Sequence, residues 1–316
     1  MENNRSKIAI IGSGFVGAST AFAMSLNQMV NEMVLVDVNK EKSIGEAMDI
    51  SHGLSFLGQM SVYGGDYSDC SNCDAIIITA GCNRKPGESR IDLARKNLTI
   101  SKEIIGNIMK YYTRGVILVV SNPVDVLTYK IQQWSGLPAG KVFGTGTVLD
   151  SSRFRFLLSR KFNVDVRNVH GYIIGEHGDT QLPLWSATHI AGKNIMEFFD
   201  DPVYDITNEI KNAIIEDVKT CGSEIIKKKG ATYYAIAVAV NTILESLLKN
   251  QNTIRTVSSV IHNMYGIDDV ALSLPSIVNA NGVKAIFDLK LTAEEQRLLA
   301  NSANQLKLVL EQVQDI

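Results

Sequence analysis

The sequence predicts an α/β fold, with a doubly wound parallel sheet in the N-terminal half and an α+β region in the C-terminal half. Short apolar runs alternate with helical patterns over the first half, and a glycine-rich turn joins the first strand to the first helix. After about Thr145 this alternation stops. Because 316 residues exceed what one typical core holds, we expect two domains, residues 1–145 and 146–316.

The strands of the first half are predicted from short, fully apolar runs, which are typical of strands buried on both faces. They are expected at Lys7–Ile11, Met33–Val36, Met60–Tyr63, Ala75–Thr79 and Val116–Val120. Patterns of helical period predict intervening helices at Ala18–Asn27, Lys42–Leu57 and Leu93–Tyr112. Elements in this alternation build a parallel sheet with helices on both faces.

The second half combines long helices with antiparallel strands. Apolar side chains at helical spacing predict a helix over Thr207–Lys228, and the capping-box sequence Thr292-Ala-Glu-Glu295 opens a last helix that runs to about Val313. Strands or mixed elements are expected at Val169–Ile174 and Trp185–Ile190. An antiparallel meander is expected from Thr253–Val260, Val270–Leu274, Ser276–Val278 and Val283–Phe287.

Composition and charge disfavour several classes of function. With 31 basic and 33 acidic residues, the chain has no global field that would attract nucleic acid or anionic membranes. Its longest apolar region, Ala231–Leu248, is interrupted by Asn241 and Glu245, which favours a buried helix over a membrane span. The N-terminal residues lack the apolar core of a signal peptide, so a cytoplasmic protein is expected. Cys70 and Cys73 form a C-x-x-C without a second pair of ligands nearby, and no metal is expected.

A cofactor site is predicted at the first strand–helix junction, Gly12-Ser-Gly14-Phe-Val-Gly17. Glycines at this spacing allow a tight turn and let the backbone approach a pyrophosphate at the helix N-terminus. Asp37 ends the second strand, where a carboxylate would accept hydrogen bonds from ribose hydroxyls and repel a 2′-phosphate. Val38 and Asn39 supply no arginine, so NAD is favoured over NADP. Methyltransferases also carry a glycine-rich turn followed by an acid, and this motif alone leaves that interpretation open.

His177 is the candidate for proton exchange. It lies in Gly175-Glu-His-Gly-Asp179 directly after an apolar run, so its imidazole is expected at the end of a strand. Histidine is the side chain best suited to exchange protons near neutral pH. Asp150 is the candidate to fix its tautomer, and it is equally suited to cap the helix that follows. Arg153 is expected on the same helical face as Asp150.

A loop from Thr79 to Asp92 carries three cations, Arg84, Lys85 and Arg90. The Pro86-Gly87 pair between them predicts a loop rather than a continued strand or helix. Its charges are either a solvated surface feature or a set that reaches inward to meet an anionic ligand.

Together these motifs resemble those of the lactate/malate dehydrogenase family, in particular its bacterial lactate-dehydrogenase-like branch. They are the Gly12–Gly17 turn, Lys85-Pro-Gly-Glu-Ser-Arg90, Ser121-Asn-Pro-Val-Asp125, Gly146–Arg153, Gly175–Asp179 and Lys229-Gly-Ala-Thr-Tyr-Tyr234. Methyltransferases and flavoproteins share none of these beyond the first. The resemblance implies a Rossmann NAD-binding domain, a C-terminal substrate domain, and hydride transfer between NAD(H) and a small 2-hydroxy or 2-oxo acid. It also implies a homo-oligomer, a tetramer or a dimer.

The resemblance implies roles for individual residues. His177 would exchange a proton with the substrate oxygen, Asp150 would stabilise its protonated form, and Arg90 would polarise the carbonyl. The implied substrate-binding residues are Arg84, Arg153, Asn122 and Thr232. The implied cofactor contacts are Gly12, Gly14, Phe15, Val16, Gly17, Asp37, Thr79, Ala80, Gly81 and Asn122. A non-catalytic NAD-binding relative would be expected to have lost His177, Asp150, Arg153 or Arg90, and the chain has all of them.

The substrate prediction depends on Arg84, directly before Lys-Pro-Gly. In the family, lactate dehydrogenases usually carry Gln there and malate dehydrogenases Arg. A buried arginine facing the methyl group of pyruvate would lack a partner, at a cost on the order of 3–5 kcal/mol. Thr232 favours lactate, but about one methyl group of packing is worth only about 1–3 kcal/mol. The prediction is therefore malate/oxaloacetate, with L-lactate/pyruvate as the alternative.

Two further expectations concern control and assembly. Arg155 and His170 match positions that bind fructose 1,6-bisphosphate in allosteric bacterial lactate dehydrogenases; otherwise they are a helix-surface arginine and a strand-end histidine. The helix around Ile44–Leu57 either forms a subunit interface or packs on its own domain. Its apolar side chains are Met48, Ile50, Leu54 and Leu57.

Overall fold

The computed structural model describes residues 6–83, 87–199, 201, 203–204 and 206–316. The strands in these ranges are β1 (Lys7–Ile11), β2 (Glu32–Val36), β3 (Ser61–Gly64), β4 (Ala75–Ile78), β5 (Val116–Val119), β6 (Val142–Gly144), β7 (Val169–His170), β8 (Ile173–Ile174), β9 (Leu182–Pro183), β10 (His189–Ile190), β11 (Lys193–Asn194), β12 (Thr253–Ile261), β13 (Val270–Asn279) and β14 (Gly282–Ile286). The α-helices are α1 (Phe15–Asn27), α2 (Lys40–Gly53), α3 (Arg90–Ile108), α4 (Val124–Ser135), α5 (Val148–Phe162), α6 (Asn208–Lys229), α7 (Tyr234–Leu248) and α8 (Ala293–Gln312).

The main sheet has the strand order β14-β13-β12-β6-β5-β4-β1-β2-β3. The strands from β6 to β3 are parallel, and β12, β13 and β14 extend the sheet in antiparallel fashion. From β1, successive strands are added first on one side (β2, β3) and then on the other (β4, β5, β6), so the strand order reverses between β1 and β4. In open α/β sheets a ligand binds at the carboxyl ends of the strands beside such a switch point.

Alternate side chains of each central strand enter two apolar cores. On β1, Ile8 and Ile10 belong to the core that includes residues of α1 and α7. Ala9 and Ile11 belong to the core on the opposite face, with residues of α3, α4 and α8. A third core is formed largely by α5, α6 and the short strands between them. Burial on both faces explains why the parallel strands are apolar throughout, and the predicted fold class is confirmed.

The antiparallel strands differ from the predicted meander. The runs Val270–Leu274 and Ser276–Val278 are one strand, β13, which continues through Pro275. Proline has no N–H to donate, but the Pro275 carbonyl accepts a hydrogen bond from the Phe287 amide at 2.7 Å, just past the end of β14. The nitrogen of Pro275 therefore lies on the side where β14 has already ended, so its lack of an N–H breaks no hydrogen bond of the sheet.

Two other expectations are refined. The predicted element Val169–Ile174 divides into β7 and β8, because β7 pairs with β10 whereas β8 pairs with β9. The division into domains at residue 145 stays a prediction, and the sheet itself continues across it, since Ser258 of β12 pairs with Gly144 of β6. In the described part of the chain, no helix is long and apolar enough to cross a membrane.

Candidate active site

The glycine-rich turn lies at the carboxyl end of β1, against the loop that follows β4. Gly12 has a φ of +104°, and a Cβ there would lie 2.7 Å from the backbone nitrogen of Ala80. A Cβ on Gly17 would lie 1.9 Å from the carbonyl oxygen of Gly12, whereas one on Gly14 would meet no atom of the described residues within 4 Å. Helix α1 begins without a side-chain cap. Its N-terminus therefore offers backbone donors on an open side, which fits a pyrophosphate.

Asp37 is held beside this turn by backbone donors. Its Oδ2 accepts from the Ser13 N–H at 2.6 Å and its Oδ1 from the Asn39 N–H at 2.9 Å. The Thr79 hydroxyl donates to the Gly12 carbonyl at 2.8 Å and so joins the β4 loop to the turn. The fixed carboxylate suits the ribose hydroxyls of a dinucleotide, and the neighbouring helix N-terminus suits its pyrophosphate.

Other predicted cofactor positions line the same edge. Phe15 is largely exposed, and its ring stacks on Tyr233 with centroids 5.2 Å apart. Ala80 and Gly81 continue the β4 loop, and Val16 is half-buried in the first turn of α1. Phe15 and Val16 thus lie within the turn, and Ala80 lies against Gly12.

His177, Asp150 and Arg153 form one hydrogen-bonded cluster. Nδ1 of His177 lies 2.6 Å from Oδ2 of Asp150. Nη1 of Arg153 donates to Oδ1 of the same carboxylate at 3.0 Å. Helix α5 has Thr147 as its N-cap, so Asp150 lies within the first turn and is not the cap residue. The helix thereby presents Asp150 and Arg153, three residues apart, on one face.

The electrostatics of this cluster favour a charged imidazole. The Asp150 carboxylate raises the pKa of His177 to about 9, although burial acts in the opposite direction. Burial alone would raise the pKa of Asp150, but His177 and Arg153 bring that pKa below its usual value. The carboxylate, whose side chain is 2% exposed, is therefore ionised and stabilises a proton on His177.

Arg90 is joined to the segment after His177 by an exposed ion pair. It opens α3, which is capped by Ser89. Its Nη2 lies 2.6 Å from Oδ2 of Asp179, and both side chains are largely exposed. Because Asp179 is two residues beyond His177, this ion pair holds Arg90 on the His177 side of the site. Arg84 and Lys85 lie outside the described residues.

The remaining predicted site residues are more dispersed. Asn122 follows β5, and its peptide bond to Pro123 is cis. Thr232 is half-buried in the connection between α6 and α7. Arg155 lies on α5, where its Nε donates to the Ser151 carbonyl at 3.3 Å, and His170 is exposed on β7.

Sequence reasoning missed the contribution of Asp125. This buried carboxylate accepts from the backbone N–H of His177 at 2.7 Å and from the Ser258 hydroxyl at 2.6 Å. Burial raises the pKa of Asp125 to about 6. An acid three residues after Asn122, inside a recognised motif, was the available signal. Asp179 was likewise within a motif without an assigned role.

Comparison with known proteins identifies the family. Residues 6–144 match the model of the lactate/malate dehydrogenase NAD-binding domain, and residues 147–316 match that of the lactate/malate dehydrogenase alpha/beta C-terminal domain. L-lactate dehydrogenase of Thermoanaerobacterium saccharolyticum is 51% identical over 98% of this chain and 99% of that protein. L-lactate dehydrogenase 1 of Clostridium acetobutylicum is 48% identical over 97% of this chain and 98% of that protein.

Solved structures give the same picture. The ligand-bound minor L-lactate dehydrogenase of Enterococcus mundtii has a TM-score of 0.95 at 42% identity, covering 98% of this chain and 99% of that one. L-lactate dehydrogenase of Clostridium thermocellum has a TM-score of 0.87 at 64% identity, with coverage of 98% and 99%.

These comparisons contradict the prediction of malate as the substrate, because the full-length relatives at 46–51% identity are named L-lactate dehydrogenases. The prediction weighed Arg84 as a cation enclosed in the site. The described residues on either side of that position, Cys82, Asn83 and Gly87, are exposed. Arg84 itself lies outside the described residues, and the similarity of the whole chain to L-lactate dehydrogenases overturns the prediction that rested on its charge.

The predicted cofactor and class of enzyme are confirmed. The NAD-binding family model spans the Gly12–Gly17 turn and Asp37, the residues whose geometry fits a dinucleotide. Together, the two family models extend over nearly the whole chain. The chain belongs to the lactate/malate dehydrogenase family and is an NAD-dependent 2-hydroxy acid dehydrogenase.

Proposed function

We propose that this protein is an L-lactate dehydrogenase, which interconverts pyruvate and L-lactate with NAD(H). The observation that carries the choice of lactate is the similarity of the whole chain to L-lactate dehydrogenases. The hydrogen-bonded cluster of His177, Asp150 and Arg153 supports the reduction of a 2-oxo acid. It combines a proton donor with a cation suited to a carboxylate, in a chain whose relatives carry this name. When bound, the nicotinamide supplies the hydride that reduces the carbonyl carbon.

His177 supplies the proton. Its Nδ1 is engaged by Asp150, so Nε2 is the nitrogen that faces the substrate oxygen. The Asp150 carboxylate keeps the imidazole protonated until the oxygen gains charge. In the direction of lactate oxidation, the neutral imidazole accepts the hydroxyl proton at the same atom.

Arg153 binds the carboxylate of the substrate. Its bond to Asp150 uses one nitrogen and fixes the plane of the guanidinium, which leaves other N–H donors for two parallel hydrogen bonds. The side chain is only 16% exposed, so the pair with the substrate forms away from bulk water. Arg90, released from Asp179, stabilises the charge that develops on the carbonyl oxygen. Thr232 lines the pocket from the second half of the chain, and Asn122 contacts the substrate oxygen or the cofactor.

The test is a comparison of two oxo acids. NADH oxidation is followed by absorbance with pyruvate and with oxaloacetate, and kcat/KM is expected to be higher for pyruvate. A higher kcat/KM for oxaloacetate contradicts the proposal. His177→Asn is expected to lower kcat by roughly 10²–10⁴ with NADH binding retained. His262→Asn is the matched control, since that exposed histidine at the end of β12 pairs with Asp268.

A specific observation favours the predicted anion site at Arg155. Burial lowers the pKa of Arg155, and burial together with the nearby Arg155 lowers the pKa of Arg255. Nε of Arg255 is buried and has no hydrogen-bond partner among the described residues. Two half-buried cations that repel each other are stabilised by an anion between them. We propose that fructose 1,6-bisphosphate binds there, with His170 nearby in the assembled protein; a titration in which neither activity nor assembly responds contradicts this.

We propose that the protein is a homo-oligomer. Helices α1 and α7 pack together and expose Phe22, Leu26, Tyr234 and Val238. On α2, Met48 is exposed as expected of an interface, whereas Ile50 packs into its own core. Several exposed apolar side chains on two helices that pack together are typical of a subunit contact. Light scattering coupled to size exclusion measures the mass, and a monomer at micromolar concentration contradicts the proposal.

A further inference from the structure

Asn97 lies in the second turn of α3 and is only 2% exposed. Its Oδ1 accepts from the backbone N–H of Cys82 at 2.7 Å, and its Nδ2 donates to the Cys82 carbonyl at 3.1 Å. The same Nδ2 donates to the Asn122 carbonyl at 2.6 Å. One buried amide thus contacts the loops that follow β4 and β5.

The chemistry of these bonds selects asparagine. A carboxamide has one acceptor oxygen and two N–H donors, and here both donors and the acceptor are used. An aspartate of the same shape would place an oxygen against two carbonyl oxygens. The fit is also close, since a Cβ on Gly81 would lie 3.3 Å from Oδ1 of Asn97.

The two segments that Asn97 joins are next to proposed site residues, Arg90 and Asn122. Cys82 comes just before the segment that leads to Arg90, and Asn122 lies in the loop that follows β5. Asn97 is seven residues after Arg90 on the same helix, or roughly 10 Å along its axis. The Ser121 hydroxyl, which donates to the Ala80 carbonyl at 2.7 Å, joins the same two loops from the strand side.

We propose that Asn97 is a positioning residue for the reaction, which fixes Cys82 and Asn122 relative to α3, the helix that begins at Arg90. Cys82 and Asn122 then keep one position relative to α3, so that Arg90 and Asn122 meet the substrate in one geometry. The inference rests on the proposed function, because it assigns its effect to Arg90 and Asn122.

The test compares Asn97→Asp with Ser101→Ala. Ser101 is fully buried one turn later on α3, and its hydroxyl has no partner among the described residues, which makes it a control for altering the buried face of this helix. At a temperature well below unfolding, Asn97→Asp is expected to lower kcat/KM for pyruvate by about tenfold, and at least about fivefold. Its Kd for NADH should change less than about threefold, and Ser101→Ala should stay within about twofold in both.

Two results overturn the proposal. One is a loss in kcat/KM of less than about fivefold for Asn97→Asp, whatever its Tm. The other is a loss of NADH affinity as large as the loss of kcat/KM, which would place the effect on cofactor binding. If Asn97→Asp does not fold, Asn97→Ser, which removes the pairing without adding a charge, is measured against the same limits.

The wild-type protein supplies a test that needs neither a variant nor activity. Hydrogen exchange with overlapping peptides is expected to show the Cys82 amide protected at least about tenfold over an unstructured chain. An unprotected amide overturns the pairing. If the wild type did not reduce pyruvate, the proposed function would fail while this measurement still decided the role of Asn97 in holding the loop.

Discussion

Nδ1 of His177 and Oδ2 of Asp150 lie 2.6 Å apart, and the other oxygen of that carboxylate contacts Arg153 at 3.0 Å. One buried carboxylate therefore orients both the proton donor and the cation proposed to bind the substrate. It also stabilises positive charge on both, which allows two cations to share a small site without a net repulsive cost. Removing that carboxylate should affect proton transfer and substrate binding together.

The first prediction concerns pH. Because Asp150 raises the pKa of His177 to about 9, the proton-donating form is present below that pH and is lost above it. We expect kcat/KM for pyruvate to be flat below pH 9 and to fall above it, and kcat/KM for lactate to rise towards pH 9. In Asp150→Asn the raising charge is gone while burial, which lowers the pKa, remains, so both profiles should move to lower pH. Unshifted profiles would show that another group titrates.

The second prediction concerns Arg153→Lys. Lysine keeps the charge but loses the planar pair of donors, and a charge-assisted bidentate contact is worth about 1.5–3 kcal/mol. We expect KM for pyruvate to rise roughly 10- to 100-fold, with little change in the Kd of NADH. Arg160→Lys is the control, because Arg160 is exposed in the last turn of α5. An equal effect of both substitutions would argue against a specific carboxylate contact.

The sequence predicted those parts of the site that follow from local pattern. Alternating apolar runs indicate the parallel sheet, and a glycine turn after a strand indicates a dinucleotide site at its carboxyl edge. The contacts of Asp125 could not be predicted in this way, because its partners His177 and Ser258 lie 52 and 133 residues away. No sequence pattern indicated Asn97, which is one polar residue on a long helix. It becomes buried only because the loops containing Cys82 and Asn122 pack on that helix.

The substrate shows a different limit. The malate prediction rested on one cation, Arg84, and on the free-energy cost of an unpaired buried charge, which applies only inside an enclosed site. Enclosure depends on where the loop lies, which neither composition nor spacing specifies. Similarity along the whole chain favours lactate, as the sequence argument from Thr232 did.

The third prediction concerns Asp125→Asn. The carboxylate accepts two short hydrogen bonds, and an amide has only one acceptor oxygen for them. At pH 7.5, above the pKa of about 6 to which burial raises this carboxyl, the carboxyl is ionised and its burial disfavours the fold. The neutral amide removes that cost but loses one acceptor, so we expect the free energy of unfolding to change by less than about 1 kcal/mol. The freed backbone of His177 should also lower kcat. Ser258→Ala removes one bond and leaves that backbone contact, so its kcat should stay near wild type; a matching loss would place the effect on the strand instead.

The fourth prediction concerns Asp179→Asn. The ion pair with Arg90 is exposed, so it adds little to stability, but it competes with the substrate for the guanidinium. We expect unchanged Tm and a KM for pyruvate lowered about two- to fivefold at low ionic strength, with the difference vanishing at high salt. Asp165→Asn removes an equally paired carboxylate beyond the far end of α5 and should not change KM. A raised KM for Asp179→Asn would mean that the pair assists binding.

The last prediction separates three glycines by what a methyl group would meet. On Gly17 it would lie 1.9 Å from the Gly12 carbonyl oxygen and 2.8 Å from the Thr79 hydroxyl, so Gly17→Ala should cost about 1–3 kcal/mol of stability and weaken NADH binding. On Gly14 it would meet no atom within 4 Å in the part of the chain that the structure describes, so Gly14→Ala should keep its Tm. It should nevertheless raise the Kd of NADH, because the methyl occupies the open side of the helix N-terminus. Gly45, in the second turn of α2, is equally open among the described residues and outside the glycine turn, and Gly45→Ala should raise Tm without changing the Kd. Thermal unfolding and NADH titration of the three variants decide it: if Gly14→Ala binds NADH as Gly45→Ala does, the pyrophosphate does not lie against Gly14.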